Sequence, residues 1–393
     1  METVELIVEG NLELRKILLK DGRLKYSIPL INSHVIEVPK KYVERIKSIY
    51  GANVVHNSSI VTLSKDISPQ INEAKKHVRA DAVHGLTGKG VTIAILDTGI
   101  SPVSDFTLPK NRIIAFKDFV NGSGDAYDDN GHGTHVSGIA AGNGYFSKGK
   151  YTGIAPEANI VAVKILDKEG RGSAGDALAG MQWVADNRER LNIKVVNLSI
   201  GTEDVGSRDP LVKIVEAVWD LGVSVVIAAG NNGPDPSSVT SPGVSRKVIT
   251  VGASDDENPT NVMGDTLENF SGRGPTSECI YKPDILAPGS GIISVRSLEL
   301  SNKDAEHRGL HIIDDNYVKM SGTSMAAPIV TGAVALFLQN NPDLKPNDVK
   351  LRLKHSAKSL NYSRNQQGWG LIDVEKFIMG NETDGEKLAG ATK

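Results

Sequence analysis

The chain of 393 residues contains a single cysteine, Cys279, so no intramolecular disulfide can form. In SGRGPTSECIYKP that cysteine has no histidine or basic cluster beside it, and it reads as a structural or incidental thiol rather than a nucleophile. Long hydrophobic runs are missing too. Nothing approaches the roughly 18 apolar residues needed to cross a bilayer. The first residues, METVELIVEGNLELRK, lack the basic and apolar regions of a secretory signal, so a cytoplasmic location is the expectation. Strong charge of either sign is absent. A formal net charge of −3 gives no reason to expect nucleic acid or an anionic membrane as partner. No internal repeat is visible.

A hydrophobic content of 39% supports a sizeable core, and 40 glycines suit a fold with many tight turns and backbone-lined clefts. Residues 1–65 are rich in Lys, Glu, Val and Ile. Strand-like ETVELIVEG precedes an amphipathic NLELRKILLK, then an alternating YSIPLINSHVIEVP and a helical KKYVERIKSIYG. Two short β-like pieces, ANVVHN and SSIVTLS, close this segment. Their order fits a small α+β domain with helices on one face of an antiparallel sheet. A polar stretch, 66–80, follows as linker. From 81 to 378 short apolar runs (VTIAILDTG, IVAVKIL, VVNLSIG, VVIAAGN, VITVGA) alternate with helical stretches such as SAGDALAGMQWVADN and DPLVKIVEAVWDLG. That pattern predicts an α/β domain, a doubly wound parallel sheet with helices on both faces. Polar residues gather after the strand ends, where ligands bind in such sheets. The polar tail 379–393 is expected to be disordered.

Three segments each place a reactive group at the end of a regular element. Asp97 ends the apolar run of VTIAILDTGI. His132 opens a helix of small residues in DDNGHGTHVSGIAAG. Ser324 starts the long apolar helix of KMSGTSMAAPIVTGAVALFLQ, where backbone N–H groups and the helix dipole favour developing negative charge. A serine hydroxyl needs a base to take its proton, and the base needs a partner to hold its tautomer. All three are supplied, in the order Asp, His, Ser.

AILDTGI, GHGTHVSG, SGTSMAAP and AAGNNGP resemble the four signature segments of the subtilase family, in family order, over about residues 80–375. The resemblance implies a serine endopeptidase acting through an acyl-enzyme. Asp97 would orient the imidazole, His132 would be general base and acid, and Ser324 the nucleophile. Asn231 would share the oxyanion hole with the Ser324 N–H. NLSIG, with Ser199, Ile200 and Gly201, is similar to the family's substrate-pairing edge strand. Gly172 and Ser173 of RGS resemble the opposing edge, and Ala229 and Gly230 complete the implied substrate-binding set. Pairing an extended peptide between two edges implies protein substrates of broad sequence. Ala174 stands where many relatives carry a bulky aromatic, implying an open fourth pocket. Residues 1–65 are similar to the family's inhibitory propeptide; the alternative is a permanent accessory domain. If a propeptide, its end SSIVTLS runs into the cleft, and the self-cleaved bond falls between Leu63 and Gln70.

Each residue has a plainer role available. Asp97 could be a turn residue, Ser324 a helix cap, and Asn231 a turn residue. The joint pattern outweighs these. His135 is assigned to structure. A zinc site on His132 and His135 is rejected, because zincin ligands sit at i and i+4 with a Glu between. Gly144 to Lys150 satisfies GxxxxGK, but Tyr151 stands where Ser or Thr should meet magnesium, so a surface loop is expected. A binding-only pseudoprotease would lack a triad member, and none is missing. No cofactor is expected for catalysis. Structural calcium is unexpected in GNGYFSKGKYTG, which has no carboxylate. Asp125, Asp128 and Asp129 are a candidate calcium set against a solvated loop. Glu203 and Asp204 are a candidate lining for a basic-selective first pocket, again against a solvated loop. A neutral His132 predicts activity rising through the ordinary histidine range, roughly pH 6.5, to a plateau in mild alkali.

Overall fold

The structure, a computed structural model, describes residues 3–10, 22–50, 54–56, 59–62, 74–202, 209–255, 266–267 and 269–380. Strands are numbered in chain order, and helices of eight or more residues likewise. Among the described residues no helix is long and apolar enough to cross a membrane.

The N-terminal unit is a four-stranded antiparallel sheet of β1 (Thr3–Glu9), β2 (Arg23–Ile28), β3 (Ser33–Pro39) and β4 (Val54–His56), in the order β2-β3-β1-β4. The expected run YSIPLINSHVIEVP is split. A 3-10 turn, Pro29–Ile31, ends with Asn32 left-handed and reverses the chain between β2 and β3. Because side chains alternate along a strand, β1 buries Leu6 and Val8 on one face and Ile7 on the other. Leu6 and Val8 join Ile36 and Val38 under α1 (Val43–Tyr50), through Val43 and Ile46. Ile7, with Ile28 and Val35, belongs instead to the main core of the second domain. The sheet is therefore bound to that domain through its other face. The expected helix NLELRKILLK and the tail 381–393 lie outside the described residues.

The second domain is α/β. Seven parallel strands run in the order β7-β8-β6-β10-β12-β13-β15: β6 (Thr92–Asp97), β7 (Ile113–Asp118), β8 (Asn159–Lys164), β10 (Ile193–Leu198), β12 (Ser224–Ala228), β13 (Ile249–Asp255) and β15 (Ile285–Pro288). A short β14 (Thr266–Leu267) adds antiparallel to β13. β6, β12 and all but one residue of β10 are buried throughout, as continuous apolar runs between two helical layers demand. α2 (His132–Ala141) packs against α5 (Thr323–Asn340), and α3 (Ala174–Asn187) against α4 (Pro210–Asp220). α5 is buried on every side from Thr323 to Leu338, which is why its sequence shows almost no polar face. α6 (Pro346–Ser356) follows it. Outside the expected pattern, β7 is half exposed and mixes Lys117 and Asp118 into its apolar residues. In the expected linker, Ala74, His77, Val78 and Ala80 are buried, and Val374 donates its N–H to the Val78 carbonyl.

Candidate active site

From β6 the chain moves outward to β7 and β8, then crosses back to β10 on the other side of β6. The carboxyl ends of β6 and β10 thus flank a switch point, where a parallel sheet opens a crevice. Asp97 is the last residue of β6 and Ser199 directly follows β10.

α2 begins at His132 and crosses the end of β6 so closely that a Cβ on Gly133 would lie 2.3 Å from the Gly99 carbonyl oxygen and 3.2 Å from the Asp97 Cβ. Only glycine permits that approach. It brings the buried His132 Nδ1–H to Asp97 Oδ1 at 2.7 Å. A carboxylate can only accept, so in the neutral imidazole the proton sits on Nδ1 and the lone pair on Nε2. Nε2 is buried and has no hydrogen-bond partner among the described residues. The Thr98 N–H holds the same Asp97 oxygen at 2.7 Å.

Ser324 is the second residue of α5, and Gly322 takes a positive φ of 148° at its N-cap. The Ser324 hydroxyl donates to the Ser199 carbonyl at 3.1 Å, not to His132. The Ser199 hydroxyl in turn donates to the Ser324 carbonyl at 3.2 Å. Beyond β12, Asn231 turns its side-chain oxygen to Thr323, accepting from the N–H and the hydroxyl, each at 3.0 Å. Its Nδ2 is buried without a partner among the described residues. Asp97 and His132 therefore come together, while Ser324 and Asn231 meet through the first turn of α5.

The two expected edges also come together, on a segment of the chain itself. β5 (Ser59–Thr62) lies antiparallel between β9 (Arg171–Ser173) and β11 (Ile200–Gly201). Ser59 pairs with Ser173 and Ile60 with Gly172; Val61 pairs with Gly201 and Thr62 with Ile200. Ile60 is fully buried in the same apolar cluster as Ala174. Ala229 and Gly230 do not pair with β5. Their backbone groups are bonded to Val251, Thr240, Thr323 and Gly272 within the domain. Leu63 to Gln70, Glu203 and Asp204 lie outside the described residues.

Asp125, Asp128 and Asp129 do not converge. Asp128 is buried and spends both oxygens on the N-terminus of α2, accepting from the N–H groups of Asn130, Gly131 and Thr134 and from the hydroxyls of Thr98 and Thr134. Asp129 pairs with buried Lys164 at 2.7 Å, and Asp125 is exposed. Among the described residues no three His, Cys, Asp or Glu side chains are grouped to hold a metal, so Asp125, Asp128 and Asp129 do not form a carboxylate cluster for one. The sequence signal for Asp128 was its place in Asp-Asp-Asn-Gly just before a helix, a capping pattern. Lys164 escaped sequence reasoning: its ammonium donates to the carbonyls of Thr98 and Leu166, one ladder step from Asp97.

His135 is fully buried, and its Nε2–H is shared by the carbonyls of Ile292 and Val318. Burial, helped by neighbouring His132, pushes its pKa down to about 3, so it stays neutral. The GxxxxGK stretch is a loop after α2 whose N–H groups from Tyr145 to Lys150 already have acceptors. Phe146 donates to Asp105 at 3.0 Å and Ser147 to the Tyr317 hydroxyl at 3.2 Å, while that hydroxyl donates to Asp105 at 2.8 Å. Tyr317→Phe should leave the buried Asp105 oxygen short of a donor and lower stability by about 1–3 kcal/mol in urea unfolding. An unchanged midpoint would mean the loop does not depend on this hydroxyl. Cys279 is exposed and free.

A family model described as the subtilase family matches residues 88–370. Serine protease AprX of Bacillus subtilis is 42% identical over 371 residues, covering 92% of this chain and 82% of that one. Subtilisin BL of Lederbergia lenta is 36% identical over 301 residues, covering 76% and 95%. A thermostable alkaline protease of Halalkalibacterium halodurans is 31% identical over 349 residues, covering 88% and 82%.

Proposed function

This chain belongs to the subtilase family and is a serine-type endopeptidase, and from that premise we propose that Ser324 is its nucleophile, His132 its general base and acid, and Asp97 the carboxylate that orients the base. The observation that carries the reading is the buried 2.7 Å contact between Asp97 and His132, which leaves Nε2 as the free basic nitrogen. With an extended peptide in the cleft, the Ser324 hydroxyl leaves the Ser199 carbonyl and gives its proton to Nε2 while Oγ bonds to the scissile carbon. Negative charge moves to the carbonyl oxygen, which accepts from Asn231 Nδ2 and the Ser324 N–H. His132 then protonates the departing amine, leaving an acyl-enzyme, and activates the water that hydrolyses it. Asp97 keeps its charge throughout and stabilises the imidazolium.

Substrates are protein segments in extended form, held by main-chain bonds to β9 and β11, so sequence tolerance is broad. We further propose that residues 1–65 are a propeptide that inhibits the enzyme and is removed by it, with the bond cut between Leu63 and Gln70. Support comes from β5, which lies between those same two edges. The small sheet also grips α3: the Tyr26 hydroxyl donates to Asp176 at 2.8 Å, Lys25 pairs with Asp176 at 3.0 Å, and the Leu30 N–H reaches Gln182 at 3.0 Å. A cytoplasmic location stays part of this proposal, supported by the single cysteine.

Intact mass of wild type beside Ser324→Ala tests both parts. Wild type should lose a fragment ending between Leu63 and Gln70, Ser324→Ala should remain full length, and a fluorophosphonate should label Ser324 alone. The isolated segment, added back, should inhibit the processed enzyme. A fully active, full-length wild type that the segment does not inhibit would make residues 1–65 an accessory domain.

A further inference from the structure

The turn 128–131 decides where His132 stands, because His132 is the first residue of α2 and inherits its position from the residues that cap the helix. Asp128 holds this turn from inside, tying it to Thr98 beside Asp97 at 2.8 Å and to Gly131 and Thr134 of the helix start. Asn130 does the rest. Its Oδ1 accepts the His132 N–H at 3.2 Å, and its Nδ2 donates to the Lys168 carbonyl at 2.9 Å.

A second element closes over the outside of the same turn. After β16 (Ile292–Val295) the chain leaves the domain, makes a one-turn helix Asn302–His307, and returns through β17 (His311–Ile312) and β18 (Tyr317–Met320). Three of its side chains meet the turn. The Ser297 hydroxyl donates to the Asp128 carbonyl at 2.6 Å. Leu300 lies against Gly131, where an added Cβ would come within 3.2 Å of it. The Arg308 guanidinium donates to the Asn130 carbonyl at 2.5 Å and to Asn130 Oδ1 at 3.3 Å. One of the two oxygens that Arg308 touches, Oδ1, is the one that holds the His132 amide.

We propose that Arg308 is a positioning residue for peptide hydrolysis, acting through Asn130 to set His132 between Asp97 and Ser324. The inference rests on the roles given above to His132 and Ser324. A planar fork suits the task, since it reaches two oxygens of one residue in fixed geometry, which an ammonium cannot do. The support beneath it is rigid: the Arg308 N–H is bonded to the Asp304 carbonyl, and Arg296 braces the segment through the Leu300 carbonyl and Asn302. Arg308 is half-buried, and Asp128 and Asp304 counter the desolvation that lowers its pKa.

The test uses chains carrying Arg308→Lys, Arg308→Gln or Arg308→Ala, expressed at full length and freed of the 1–65 segment before assay, with working sites counted by fluorophosphonate. A base displaced by a fraction of an ångström loses rate at the chemical step, so kcat per site should fall about tenfold in the Gln and Ala variants while KM holds. The rate of phosphonylation at Ser324 should fall in parallel. Arg308→Lys should recover part of the loss. Asn130→Ala should show a similar defect, and Arg308→Ala added to it should cost little more, because both act on one turn. Wild-type kcat per site in Arg308→Gln and Arg308→Ala, whatever happens to Tm, would reduce the clamp to a packing feature and overturn the inference. A raised KM at unchanged kcat would overturn it as well, moving Arg308 into substrate contact. If Arg308→Ala does not fold, the Gln and Lys variants carry the comparison. Activity retained by Ser324→Ala would instead overturn the site assignment itself, independently of Arg308.

Discussion

Ser324→Ala and His132→Ala should each abolish nearly all peptide hydrolysis, and the double variant should be scarcely worse than either. In the proposed roles the three side chains act as one unit: without the base the hydroxyl is not activated, and without the hydroxyl the base has nothing to activate. The scale is the one measured in subtilisin, a member of the same family, where losing nucleophile or base costs about a millionfold in turnover. Asp97→Asn should cost less, about ten-thousandfold, by reversing the tautomer. An amide can offer N–H to Nδ1, which moves the ring proton to Nε2, the nitrogen that must accept from Ser324. Inactive variants would keep the 1–65 segment, so an unrelated protease should remove it before kcat is measured on a peptide substrate. Near-normal turnover in Ser324→Ala would end the assignment of the nucleophile.

Asn231→Ala should lower kcat by about a hundred- to thousandfold, equivalent to about 2.7–4 kcal/mol, with little change in KM. That magnitude also comes from subtilisin. The structure supplies the reason to expect it here. Both donors of Thr323, its N–H and its hydroxyl, are directed at Asn231 Oδ1. Flipping the amide would set two donors against a third, so Thr323 dictates that Nδ2 faces the other way, where it has no partner among the described residues. A buried unsatisfied donor is costly in the ground state and gains its partner when the oxyanion forms. Thr323→Val should show an intermediate loss, since one of the two restraints on the flip is gone. A KM effect without a kcat effect in Asn231→Ala would mean that the side chain binds substrate rather than the oxyanion.

The strands of the sheet interior were legible because a doubly covered strand is apolar along most of its length rather than at alternate positions, so VTIAILD, VVNL and SVVIA announce themselves. β7 was not legible. It lies at the sheet edge and is half exposed, so Lys117 and Asp118 interrupt its pattern. Strands β15 to β18 are two to four residues long, too short for a period to show. Residues Asp125, Asp128 and Asp129 looked alike as a row of carboxylates. Burial separates them: one caps a helix, one pairs with a lysine, and one is exposed.

Sequence alone determined the parallel α/β class, and it singled out Asp97, His132, Ser324 and Asn231 as the residues proposed to carry the chemistry. Those features follow from residues within a few positions of each other, where helix starts, strand ends and turn glycines are written locally. The tertiary structure alone decided which groups meet across distance. Asp97 and His132 are 35 positions apart, and Arg308 is 178 from the Asn130 it holds. The placing of β5 between β9 and β11 is likewise non-local, for an edge strand's unpaired N–H and C=O groups accept any extended segment, and only folding delivers this one.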